Sequence, residues 1–240
     1  MTLPPRRGAR RGSRNDRPKQ VYAQLRHLIV HGRLAPGSRL VETDIAARFN
    51  VSRTPVRGAL QRLQQEGYIL DSPSMRQSRP TVAPLTGEDA AELFDIVGEL
   101  EGLAAFRAAL LPPGKRQALV RELTAINHEF RKAAAAPRPD HNRLWDLDER
   151  FHKRYVDVAA GPRLKALHDS VKPQCERYER LYVSFLAGEI LTSVKEHDVI
   201  IQAIETGESS VAKEAVHRNW HNAAERLARV IERAGDRGKW

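Results

Sequence analysis

Val51 to Ile69 reads VSRTPVRGALQRLQQEGYI, and the fold turns on how this stretch is laid out. Val56, Leu60 and Leu63 recur at the three-to-four spacing of one helix face, while Arg53 and Arg57, four apart, share another. Ser52 stands where an N-cap belongs, Pro55 falls in the first turn where its missing N–H costs little, and Gly67 stops the run. One side of this helix is built to pack, and the other carries two guanidiniums at its N-terminal end.

Working outward, Val21, Leu25, Leu28 and Ile29 mark an earlier helix that Gly32, Pro36 and Gly37 end. Thr43 is expected to cap a short second helix bearing Ile45, Ala46 and Phe49, with Asn50-Val51 as the tight connection to Ser52. Beyond Gly67, "YIL" and "PTVA" are β-prone pieces on either side of a polar loop. Three helices and a hairpin, with a tight turn between the second and third helices, predict a winged helix-turn-helix. In that fold the third helix enters the major groove, where a guanidinium takes guanine O6 and N7 together for roughly 1–3 kcal/mol of discrimination.

Charge supports this. Residues 1–20 carry net +6 and residues 21–84 net +5, whereas residues 85–240 carry net −1, so the whole excess lies in the first 84 residues. A polyanion-binding N-terminal part on a nearly neutral partner follows. Residues 1–18 have no apolar periodicity and are expected to be a disordered basic arm. No apolar stretch follows the basic N-terminus as a secretory signal would require, and no run reaches the roughly 20 apolar residues of a membrane helix. Cys175 is the single cysteine, so an internal disulfide and a cysteine-built zinc site are both excluded. A cytoplasmic protein with no membrane partner is expected.

After Leu85 the pattern is helical to the end. Breaks at Pro112-Pro113-Gly114, Pro137 to Pro139, Gly161-Pro162, Gly188 and Gly207 delimit about six helices, with Pro173 inside one. Residues 85–240 therefore predict an all-α bundle behind a winged helix-turn-helix at 19–84, a mainly α chain. In the bundle Asp148 and His152 lie four apart on one helix face, and His197 opens a later helical segment. Carboxylate and imidazole together suit zinc or another divalent transition metal such as nickel. Trp145, Tyr155, Tyr178 and Tyr182 are candidates for a pocket lining or for core.

The stretch GRLAPGSRLVETDIAARFNVSRTPVRGALQRLQQEGYI closely resembles the DNA-binding domain of GntR-type bacterial transcription regulators. LFDIVGELEGLAAFRAA, DLDERFHKRYVDVAAGPRL and EHDVIIQAIETGESSVAKEAV resemble the all-helical effector-binding domain of the FadR-like branch. The resemblance implies a homodimer on a palindromic double-stranded operator, with a small effector, an organic or sugar acid, controlling DNA affinity. It implies Arg53 and Arg57 as base readers and Ser52, Thr54 and Thr43 as phosphate contacts. The wing tip near Ser78 and Arg79 would reach the minor groove. Resembling domains hold a metal with one aspartate and three histidines. The third histidine's usual place, 22 residues after His197, is taken here by Asn219, a weak fourth ligand beside Asp148, His152 and His197. The chain also departs from the family at Gly58, usually glutamate, and at Val97, usually arginine. Two other function classes stay open at this level. One is a metal-dependent enzyme using Asp148, His152 and His197 to activate water. The other is a non-specific DNA-compacting protein, suggested by charge alone.

Overall fold

The computed structural model describes residues 17–71, 80–186, 189–235 and 237–238. They divide into two compact units, one ending at Ala83 and the other running from Pro84 onward with Val30–Gly32 added to it.

The first unit contains α1 (Arg17–Val30), α2 (Glu42–Phe49), α3 (Arg53–Gln65), β1 (Ile69–Asp71) and β2 (Pro80–Val82). Most of the predicted faces form its core: Leu28 and Phe49 are half-buried, whereas Val21, Leu25 and Ile29 of α1, Ile45 and Ala46 of α2, and Val56, Leu60 and Leu63 of α3 are buried. Tyr22 joins them, and its hydroxyl donates to Glu66 at 2.5 Å while Arg62 lies over its ring. Between α2 and α3 the chain turns through Asn50, held in the left-handed region at φ 52°, which a short polar side chain tolerates. β1 and β2 pair antiparallel, Ile69 opposite Val82. The segment at 37–40 adds a third edge, with the Gly37 N–H bonded to Val82 and the Leu40 N–H to Pro80. This is a winged helix-turn-helix.

One sequence expectation is corrected. Thr43 does not cap α2. The N-cap is Val41, whose carbonyl already accepts from the Asp44 and Ile45 N–H groups, so Thr43 sits inside the first turn. Glu42 and Asp44 then place negative charge at the positive end of the helix.

The second unit holds α4 (Gly87–Ala109), α5 (Pro113–Ala134), α6 (His141–Ala159), α7 (Pro162–Leu186), α8 (Ile190–Thr206) and α9 (Ser209–Ala234). Thr86 caps α4 by accepting from the Asp89 N–H, and Asp140 caps α6. Pro173 lies inside α7. α4 is the central helix, buried along Leu93, Phe94, Val97, Ala104, Ala105 and Ala108. Its glycines let α9 come close: a Cβ added at Gly98 would stand 3.2 Å from the Cβ of Trp220.

Candidate functional site

Two sets of side chains stand out, one in each unit. In the first, Ser52 is the N-cap of α3 and makes no side-chain cap bond, and Thr43, Ser52, Arg53, Thr54 and Arg57 are all exposed. Arg53 and Arg57 come together, as their spacing predicts, but they also share a partner that the spacing does not reveal. The Glu42 carboxylate accepts from Arg53 Nη2 at 3.1 Å and from Arg57 Nε and Nη2 at 3.1 and 3.2 Å. The Arg57 hydrogen bond, followed by that of Arg53 against slight desolvation, holds this carboxyl below its usual range. Ser78 and Arg79 lie outside the described residues.

In the second unit, α6 presents Asp148 and His152 and α8 presents His197, and their ligand atoms all lie within 4.8 Å of one another. Each imidazole is oriented by a neighbour. Asn127 spends its amide N–H groups on the Val194 carbonyl and Asp198, so its carbonyl oxygen accepts from His197 Nδ1 at 3.2 Å. That leaves the lone pair on His197 Nε2, a fully buried atom with no hydrogen-bond partner, 3.5 Å from Asp148 Oδ1. Phe151 stacks flat on the His197 ring at 3.8 Å. Burial, then the charges of His152 and Arg226, keep His197 neutral by pushing its pKa far down.

His152 is held by a residue the sequence reading missed. Glu101 of α4, wholly buried, accepts from His152 Nδ1 at 2.7 Å, Tyr155 Oη at 2.7 Å, His168 Nε2 at 2.9 Å and Trp220 Nε1 at 2.9 Å. Burial works against the His152 charge, yet the Glu101 carboxylate beside it raises its pKa to about 9. Desolvation pushes the Asp148 carboxyl up to about 6, although it opens onto a cavity. Orienting each imidazole through one nitrogen, and leaving the other bare or proton-bearing toward a shared point, is how proteins prepare histidines for a metal. An orphaned buried nitrogen, a second imidazole and a carboxylate within one ion's reach fit a divalent metal.

Asn219 lines the same cavity, but its amide nitrogen donates to Glu196 at 2.8 Å. Glu196 also accepts from Asn222 and from both Nη atoms of Arg226. His217 and His221 face away, paired with Glu99 and Glu225. Of the described aromatic candidates only Trp145 lines the cavity. Tyr155 and Tyr178 are core residues whose hydroxyls donate to Glu101 and Asp89, and the Tyr182 side chain lies outside the described residues. The cavity has about 100 Å³ of room for the centres of water-sized spheres and opens to solvent.

A winged helix-turn-helix with arginines on its third helix, joined to a helical unit with a polar-floored cavity, is the make-up of a transcription regulator. The comparisons with known proteins say which. The model of the gntR family of bacterial regulatory proteins matches residues 18–73, and the FCD domain model matches residues 92–222. The chain belongs to the gntR family, in its FadR-like branch with a C-terminal FCD domain. It is 28% identical to the uncharacterized HTH-type transcriptional regulator YdhC of Bacillus subtilis, over 89% of this chain and 92% of that one. It is 26% identical to the gluconate operon transcriptional repressor of the same organism, over 87% and 84%. The structure of E. coli McbR/YncC aligns with a TM-score of 0.68 at 19% identity, covering 90% of this chain and 98% of that one, a likeness of fold. The protein is thus an HTH-type transcription regulator, of a family of regulators and not of enzymes. Among the described residues no helix is long and apolar enough to cross a membrane.

Proposed function

We propose that the chain is a ligand-responsive repressor in which residues 19–84 bind operator DNA and residues 85–240 bind a small organic acid and pair two copies. The exposed arginine pair at the start of α3 carries this reading. Arg53 and Arg57 read base edges. Ser52, Thr54 and Thr43 contact phosphate, and Ser78 and Arg79 serve the wing. Residues 1–18 add phosphate charge. Two copies on a palindrome double the readout of one short recognition helix. The word repressor is supported by the name of the gluconate operon relative.

Asp148, His152 and His197 hold a divalent metal, zinc or nickel, with Asn219 a weak fourth ligand; when bound, the ion acts as a Lewis acid for an oxygen of the effector. The chain's own part is to exclude water with the Phe130, Phe151 and Trp220 side and to keep both imidazoles turned inward through Glu101 and Asn127. Selecting an operator from a random duplex pool, then titrating it against random DNA at one fixed salt, tests the reading. A marked preference for the operator, lost in Arg57→Ala, is expected. Equal affinity for both duplexes would return the protein to the DNA-compacting class.

A further inference from the structure

The cavity above the Asp148–His152–His197 cluster is selective in a way its floor does not explain. The chain has three tryptophans and six phenylalanines, and two of each, Trp145, Trp220, Phe94 and Phe130, line this one space. Neither indole offers the space a free donor. Trp220 Nε1 is spent on Glu101, and Trp145 Nε1 on Glu179 at 3.1 Å. Both are also held in place. Phe94 meets Trp220 edge-on at 5.2 Å with Gly98 behind it, and the Arg180 guanidinium lies 3.4 Å over Trp145.

The charged lining is equally committed. Among the described residues Arg226 is the only lysine or arginine lining the space, and both its Nη atoms are on the Glu196 carboxylate. Among the lining carboxylates Glu179 is paired with Lys172 and Glu189 with Arg229. A multiply charged acid entering here meets no unpaired cation among the described lining residues, and a polyhydroxy acid finds only the Ser193 hydroxyl, the Asn219 amide and carboxylates already paired, so most of its polar groups face apolar walls at a cost in desolvation. A flat ring loses nothing, because edge and face contacts with four fixed aromatic rings replace its water.

We infer that the effector is an aromatic monocarboxylate, its ring between Trp145, Trp220, Phe94 and Phe130 and its single carboxylate toward the Asp148–His152–His197 end. This rests on the proposal that the cavity is the effector site, and it narrows the class of acid that the site takes. Sugar acids and polycarboxylates are the wrong shape of polarity for these walls.

The test uses the full chain carrying Trp240→Phe, so that tryptophan emission comes from Trp145 and Trp220 alone. Benzoate and phenylacetate are compared with octanoate, gluconate and citrate, each with zinc and after chelation. With zinc, the two aromatic acids are expected to raise the thermal midpoint and change the emission saturably, while gluconate and citrate do neither. Adding Ala223→Phe, which fills the cavity, is expected to remove the benzoate response while the helical circular dichroism stays. A saturable shift with gluconate or citrate, a larger one with octanoate, or no shift with any acid overturns the inference. Aromatic acids that bind in an Ala223→Phe-sensitive way yet leave operator affinity unchanged uphold the ligand class and defeat the effector reading. Binding that is the same with and without zinc defeats only the metal anchor.

Discussion

Glu42 stands between two arginines that, in the proposed reading, leave it to meet DNA. Exposed ion pairs contribute little to stability, so the exchange costs little, but the carboxylate still subtracts one charge from the surface offered to phosphate. Glu42→Gln is therefore expected to strengthen binding to random duplexes several-fold at low salt and to lower the operator-to-random ratio, read by anisotropy across a salt series. An unchanged ratio would leave Glu42 a helix-start residue only. Arg57→Ala acts the other way, and a loss of roughly ten- to a hundredfold in operator affinity is expected, the size of one bidentate base contact. At the second site the proton is the competitor. His152, with its pKa raised to about 9, carries a proton at neutral pH that a metal must displace, and Asp148, raised to about 6, adds a second below that pH. Metal affinity should accordingly climb as pH rises from 5 to 9. Calorimetry at pH 7.5 in two buffers of different ionisation heat should show about one proton released per ion. Heats independent of buffer would contradict that account, and His197→Ala should remove the metal altogether.

At the scale of the element, what could be read from sequence was what repeats locally. Val56, Leu60 and Leu63 announced α3, the proline and glycine breaks announced the helices from α4 to α9 (Gly188 itself lies outside the described residues), and Asp148 and His152 declared a shared face because one helix carries both. Glu42 escaped because its partners lie 11 and 15 residues away, across a turn that only tertiary packing closes. The start of α2 was misplaced because a threonine is the better cap by type, while the backbone gave the position to Val41. Glu101 did leave a trace: it sits four residues from Val97 and four from Ala105, on the buried stripe of α4, where an acid is out of place unless satisfied. The glycines of α4 were legible only as weak helix formers, yet Gly98 seats Trp220. Gly98→Val is expected to destabilise by roughly 1–3 kcal/mol through overpacking, and to alter Trp220 emission in the Trp240→Phe background. Denaturant unfolding followed by fluorescence reads both, and a wild-type midpoint would mean that α9 has room to spare.

For the whole molecule the question is how a ligand in one unit reaches DNA held by the other. Linkage answers it without reference to any path. If the effector lowers operator affinity by some factor, bound operator must lower effector affinity by the same factor, because both are one coupling free energy. Typical couplings of about 1–3 kcal/mol correspond to roughly 5- to 150-fold. The coupling also requires that the effector distinguish two states of the protein, since equal affinity for both shifts nothing. Asn219 offers an amide where the resemblance implies a third imidazole, so in the proposed reading discrimination falls on the cavity walls and on the hold that Glu101 has on His152. Glu101→Gln keeps the shape but weakens the hold on His152, and a ten- to a hundredfold loss of metal affinity is expected, as for other residues that orient a liganding imidazole. In the same variant the effector should lose most of its power over operator binding while basal operator affinity is kept. Titrating operator with and without ligand, and ligand with and without operator, closes the cycle on the wild-type chain. Two factors that disagree would show that the titrations follow different events, for example dissociation of a dimer in one arm. A cycle that closes at a factor of one would leave the cavity without a regulatory role.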